Sequence, residues 1–142
     1  MRLTYRQTMV KNWITAFVFL LSSAFGAFAQ AEKVQDVITG QLEAFSVDDF
    51  DGAFEYAAPN IQMMFKSPEN FEQMVTNGYP MVHRNRSYTF GEYTEERQFS
   101  TQIVNLEATN GSVYQLRYDL VATQAGWKIM GVQILSQTST GV

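Results

Sequence analysis

Residues 98–136 read QFSTQIVNLEATNGSVYQLRYDLVATQAGWKIMGVQILS, and this run decides the fold. It parses into three strands. Asn110-Gly111 separates the first two, and an Asn-Gly pair between apolar alternations predicts a tight hairpin with a type I′ turn, because that turn needs positive φ at both central residues. Ala125-Gly126 separates the second from the third. In the middle strand Tyr114, Leu116, Tyr118, Leu120 and Ala122 alternate with Gln115, Arg117, Asp119 and Thr123, the period of two expected of a sheet with one buried face. The outer strands change phase. Phe99 and Ile103 share one face and Val104, Leu106 and Ala108 the other, which predicts a bulge or bend near Ile103. Trp127 and Ile129 oppose Val132 and Ile134 across Gly131, a natural bulge residue.

Upstream of this run lies a fourth strand, marked by the alternation of Tyr88 and Phe90, and a charged stretch over residues 91–97 that reads as a solvated loop. Before them come helices. Val34, Val37, Ile38, Leu42 and Phe45 recur at i, i+3 and i+4, so a helix starting near Glu32 turns one stripe toward a core. Ser46 can cap a second helix, with Asp49 three residues on, Asp48, Asp49 and Asp51 in its first turn, Phe50, Phe54 and Ala57 as its apolar face and Pro59 as its stop. Ile61, Met63, Met64 and Phe65 are compatible with a helical turn or an edge strand. A third helix is sharply bounded by Ser67 as cap, Pro68 at the first position, and Gly78 and Pro80 at the end, burying Phe71, Met74 and Val75. The layout is α+β: N-terminal helices packed on a curved four-stranded antiparallel sheet.

The chain has 142 residues, which is room for one domain. Its first 29 residues have the make-up of a secretory signal: Arg2, Arg6 and Lys11, an apolar core over residues 14–21, and Ala27-Phe28-Ala29 ahead of Gln30. The apolar run 13–29 falls short of the ~20 residues of a spanning helix and is broken by Ser22, Ser23 and Gly26. The expected organisation is thus a signal peptide over 1–29, one domain over 30–136, and a frayed tail over 137–142, in a periplasmic or secreted protein with no stable membrane insertion after cleavage. Loss of the leader leaves seven of the 10 basic residues against 14 acidic ones, a net charge of about −7, which argues against nucleic acid as a partner. The absence of cysteine excludes disulfides, thiolate metal sites and cysteine nucleophiles.

No histidine-pair zinc motif, nucleophile elbow, phosphate-binding glycine loop or dinucleotide fingerprint occurs, so no cofactor is expected. The acidic trio lacks the glycine and distal Glu of a calcium loop and is better explained by helix capping. His83 is the single histidine, and any histidine base must be this residue. The densest polar and aromatic cluster, Tyr79, His83, Arg84, Arg86 and Tyr88, joins Tyr114 and Tyr118 of the middle strand as the candidate ligand-binding set. The guanidinium groups can clamp an anion or pair with the chain's own acidic excess. The tyrosines can orient a ligand or serve as core residues with bonded tips.

A helix-then-meander order with bent strands is similar to the cone-shaped fold of the nuclear transport factor 2-like superfamily, also called cystatin-like, in which a sheet wraps a helix and leaves one open end. The sequence itself resembles family 4864 of the domains of unknown function. The matching pieces are Gln41-Leu42-Glu43-Ala44-Phe45, Asp48-Asp49, Ala53-Phe54, Phe65-Lys66-Ser67-Pro68-Glu69-Asn70-Phe71, Met74-Val75, Gly78-Tyr79 and Gly126-Trp127-Lys128-Ile129. Asn85 departs from the pattern, which has a proline after Arg84. The resemblance implies a fold, an exported compartment and a pocket, and carries no catalytic residue. In that class of fold the outer sheet face commonly forms a dimer contact, which makes Asp119 a poor buried base. Three functions are compatible with these features: binding of a small apolar or amphipathic ligand in a cone pocket, a cofactor-free isomerase or dehydratase, and a homodimerising envelope module.

Overall fold

The computed structural model describes residues 11–139, with side chains from residue 25 onward. Arg2 and Arg6, the side chains of the leader's apolar core and residues 140–142 of the tail therefore lie outside what is described below. The chain divides into Met1–Glu32 and Lys33–Val142. Helix α1 spans Lys11–Ser46, beginning well before the start expected near Glu32. Among the described residues no helix is long and apolar enough to cross a membrane.

Within Lys33–Val142 the order is α1, α2 (Phe50–Glu55), α3 (Pro59–Phe65), α4 (Pro68–Gly78), α5 (Pro80–His83), then β1 (Asn85–Glu96), β2 (Phe99–Ala108), β3 (Val113–Thr123) and β4 (Gly126–Thr138). The four strands form an antiparallel meander in the order β1-β2-β3-β4. The helices pack on one face of this open sheet, as the apolar stripes require. Val34, Ile38, Leu42 and Phe45 of α1 are buried against Val104 and Leu106 of β2 and Leu116, Tyr118 and Leu120 of β3 in one core cluster. Each such aliphatic or aromatic side chain contributes roughly 1.5–3 kcal/mol on burial.

Several local details differ from the sequence-based expectations. Ser46 ends α1, its hydroxyl donating to Glu43 O, and the cap of α2 is Asp49, whose carboxylate accepts from Gly52 N at 2.9 Å. The chain reverses between them through Asp48 at φ 59°. Pro59 opens α3 rather than closing α2, since a proline nitrogen has no hydrogen to offer and suits a first helical position. Ile61 to Phe65 are accordingly helical. Ser67 caps α4 as expected, accepting from Asn70 N at 3.3 Å.

The sheet is held in a different way from that implied by its phase shifts. The turn between β2 and β3 is not type I′: Gly111 has φ 86°, while Asn110 is not in the positive region. Gly111 N donates to Ala108 O, and Ala108 N to Ser112 O, which is the three-residue loop with glycine in the left-handed position. Strand β2 alternates without interruption, Ser100, Gln102, Val104, Leu106 and Ala108 all facing inward. The bulge expected near Ile103 lies across the ladder in β1, where Gly91 and Glu92 together oppose Ile103. Glycine suits that spot, because a Cβ on Gly91 would meet Ile103 Cγ2 at 3.2 Å.

Gln102, fully buried, fixes this bulge by donating to Gly91 O at 3.1 Å, Glu92 O at 3.3 Å and Ile103 O at 2.9 Å, and by accepting from Gln35 Nε2 of α1 at 3.1 Å. The bulge lets β1 continue to Glu96, so residues 91–96 are paired strand and not loop. Backbone pairing holds this mostly exposed edge, and its glutamates blunt it against pairing with other chains. In β4 the bulge at Gly131 is present, with Met130 the extra residue, and a second has Leu135 as its extra residue. Beyond the latter, β4 stays paired to Thr138, two residues past the end expected at Ser136.

Candidate functional site

The break in β4 at Met130 positions a cavity. The segment between α2 and α3 runs against β4 just before the bulge: Ala58 N donates to Ile129 O at 2.7 Å and Ile129 N to Tyr56 O at 2.9 Å. Asn60 Nδ2 then donates to Met130 O at 3.1 Å, seating α3 over the bulge. From the other side Tyr79, at the junction of α4 and α5, donates its hydroxyl to Val132 O at 3.0 Å. The helices are thus pinned to β4 on both flanks while the bulged strand turns away between them.

The result is a half-open cavity of about 210 Å³ between α1, α3, α4 and the β3–β4 ladder. Phe45 and Gln41 of α1, Met64 and Phe65 of α3, and Phe71 and Met74 of α4 form its helical wall. Tyr118, Ile129, Gly131 and Val132 form its sheet wall, and none of the residues that line it carries a charge. The aromatic wall is internally braced, since Phe71 stacks on Phe45 at 6.0 Å between ring centroids and meets Phe65 edge-on at 6.0 Å. Met64 is 66% exposed at the rim.

Besides Tyr79, whose hydroxyl is spent on Val132 O, two polar side chains interrupt the apolar lining. Gln41 is buried, and its Nε2 donates to Ala53 O at 3.2 Å, which leaves the carbonyl oxygen of the amide for another partner. Tyr118 is fully buried, and its hydroxyl has no hydrogen-bond partner among the described residues. Burial, and secondarily the neighbouring Tyr88, push its pKa well above that of a free tyrosine. A buried hydroxyl without a partner costs free energy in the empty protein, roughly 1–3 kcal/mol, and such exceptions call for a reason.

Of the residues singled out from the sequence, Tyr79 and Tyr118 meet in this cavity. His83 and Arg84 instead converge on Asp48. His83 Nε2 lies 2.7 Å from Asp48 Oδ1, and Arg84 donates to both carboxylate oxygens at 2.9 and 2.8 Å and to Ser46 O at 2.9 Å. The hydrogen bonds from His83 and then Arg84 hold the Asp48 carboxyl below its ordinary pKa. This clamp ties the α1–α2 reversal to α5, with the His83 ring against Phe50 at 5.3 Å. Arg86 pairs with Glu107 at 2.9 Å across the β1–β2 ladder. Tyr88 is half-buried with its hydroxyl 3.4 Å from Thr39 Oγ1, and Tyr114 belongs to the core without lining the cavity. Asp119 is on the opposite sheet face, accepting from Thr101 at 2.8 Å and Arg117 at 3.0 Å.

Gln41, Phe45, Met64, Phe65, Phe71 and Met74 were not in the sequence-derived set. One signal for them was available: Gln41 is a polar residue inside the apolar stripe that runs from Ile38 to Phe45. Two other hollows, of about 420 and 390 Å³, are more open and mixed in polarity. Among the described residues no cluster of three or more histidine or acidic side chains can hold a metal ion.

No curated protein matches the chain. The family model for the domain of unknown function DUF4864 matches residues 27–142, and the chain belongs to that family.

Proposed function

We propose that the protein is an exported domain that binds a small apolar or amphipathic molecule in the cavity between α1, α3, α4 and β4, without acting on it chemically. The observation that carries this reading is the lining itself. It combines five aromatic rings, two methionines and aliphatic side chains with two buried polar groups and no charge, the composition of a binding pocket. The side chains weighed as an acid or base lie elsewhere, His83 in the Asp48 clamp and Asp119 on the opposite sheet face. At about 210 Å³ the space is below the ~300 Å³ at which pockets for drug-sized ligands begin, so the ligand is small. The leader-like composition of residues 1–29 supports export, and the order of elements with bulged long strands accords with membership of the nuclear transport factor 2-like superfamily.

Native mass spectrometry of protein purified from the cells that make it tests both parts. A small molecule released on denaturation, and a chain starting at Gln30, are the expected results. A chain that retains residues 1–29 sinks the export reading. Protein that arrives empty, and whose Met64 and Met74 methyl resonances no apolar or amphipathic fragment moves, sinks the binding reading.

A further inference from the structure

The lining of the cavity is graded from core to solvent, and the gradient says which way round a ligand lies in it. We infer that the site takes the tail of a single-chain amphiphile, an unbranched alkyl chain of about eight carbons, with its headgroup left in solvent beside Met64; this rests on the binding reading above and specifies its ligand.

Three observations lead there. The first is the grade of exposure. Phe65, Met74 and Val132 are half-buried, Phe45 and Phe71 behind them are buried, and Met64 lines the same space while being 66% exposed. One apolar surface thus runs from the core out to water, and a molecule that fills it has a dry end and a wet end.

The second is polarity. No lining residue carries a charge, the hydroxyl of Tyr79 is spent on Val132 O, and the Nε2 of Gln41 on Ala53 O. What remains of the Gln41 amide is one carbonyl oxygen, too little to replace the water around a headgroup, and an ion drawn inside would find no counter-charge. The headgroup therefore stays at the mouth, whatever its charge.

The third is size and surface. An apolar cavity of ~150 Å³ holds the six carbons of benzene, so about 210 Å³ holds roughly eight. Phe71 already engages Phe45 and Phe65 at 6.0 Å between centroids, so the adaptable part of the wall is Met64 and Met74, unbranched side chains that mould to a flexible chain.

The test is calorimetry on the full chain, with the Met64 and Met74 methyl resonances as a local reporter. The probes are the straight-chain alcohols from butanol to decanol, then octanoate, octyltrimethylammonium and p-xylene. The expected result is that affinity for the alcohols rises about fourfold per methylene up to about eight carbons and little beyond. The three octyl compounds should bind within about fivefold of one another, as their heads share the solvent. Met64→Lys, at an exposed position, should tighten octanoate and weaken octyltrimethylammonium by roughly twofold to fivefold each and leave octanol unmoved. If the two charged compounds bind more than about tenfold more weakly than octanol, the head enters the cavity and the orientation is wrong. If Met64→Lys does not move the two ions in opposite directions, the head is not at the mouth. An affinity flat from butanol to octanol, or p-xylene bound more tightly than octanol, overturns the alkyl chain. In each of those cases the binding reading stands, whereas failure of every probe removes that reading and this inference together.

Discussion

Replacing Tyr118 by phenylalanine deletes one hydroxyl from the middle of the sheet, and the structure predicts that the empty protein becomes more stable. The oxygen is fully buried and without a partner among the described residues, so folding strips it of water and returns nothing. Leaving such a group unpaired costs roughly 1–3 kcal/mol, offset in part by the small void that a missing oxygen leaves. A net gain of about 1 kcal/mol is expected, which in a domain of about 110 residues raises Tm by roughly 4 °C. Tyr79→Phe on the same cavity is the control with opposite sign. Its hydroxyl donates to Val132 O at 3.0 Å, and removing it orphans a strand carbonyl at a cost of about 1 kcal/mol. Urea denaturation of both variants reads the two changes, as shifts in midpoint at constant slope. The pH dependence adds a second sign. Because burial raises the pKa of Tyr118, the folded state holds the proton longer than the unfolded state, and stability that is intact below pH ~10 is lost above it. Tyr118→Phe should soften that alkaline loss, leaving the part due to Tyr93, whose pKa is also raised by burial and by Glu95. If Tyr118→Phe instead destabilises by 1 kcal/mol or more, the hydroxyl has a partner such as an ordered water, and the account of the site is wrong.

Three further outcomes follow from the packing. Gln102→Leu keeps the volume but orphans the carbonyls of Gly91 and Glu92 and the Gln35 amide, so it should cost about 2 kcal/mol and speed amide exchange along β1; protection in β1 equal to that of the parent would show that the bulge holds itself. Asp48→Asn preserves a residue that tolerates φ 59° while removing the charge that meets His83 and Arg84. The Asp48 carboxyl has a lowered pKa in the fold, so its contribution is fully present above pH ~3.9 and is lost as pH falls through the lowered folded value; the melting temperatures of parent and variant should differ at pH 6 and draw together as the pH is taken progressively below ~3.9. Ser67→Ala removes the cap of α4 and should cost about 1 kcal/mol by the same denaturation assay.

The α+β layout is legible because burial imposes regular periods on a chain. The stripe from Val34 to Phe45 and the alternation from Tyr114 to Leu120 each report a surface dried on one side, and both are buried as their spacing demands. What the spacing misplaces is where pairing, not burial, decides. Gln102 breaks the apolar phase of β2 and so imitates a bulge in its own strand, yet it faces inward and satisfies a bulge in the neighbouring one. Residues 91–96 have no apolar rhythm because all of them but Tyr93 are exposed, and the ladder to β2 makes them a strand. At Asn110-Gly111 the dipeptide marks the hairpin, while the loop length selects which residue takes positive φ.

The candidate site was hidden for a related reason. Charged and titratable residues draw attention in a sequence, but Arg84, Arg86 and His83 are largely consumed by the protein's own acidic surplus, as a chain with more acids than bases allows. The cavity is built from residues whose types read as ordinary core, and it exists because a bulge at Met130 and pins at Asn60 and Tyr79 hold helices and strand apart. Such a void has no compositional trace of its own. Its trace is indirect: a polar residue where the stripe calls for an apolar one. Gln41 and Gln102 are both such residues, and both are buried; the second is fully spent on backbone carbonyls and a helix amide, the first on one carbonyl only. The unspent hydrogen-bonding capacity of Gln41 at the cavity wall separates it from Gln102, whose amide is wholly used in locking the β1 bulge to α1.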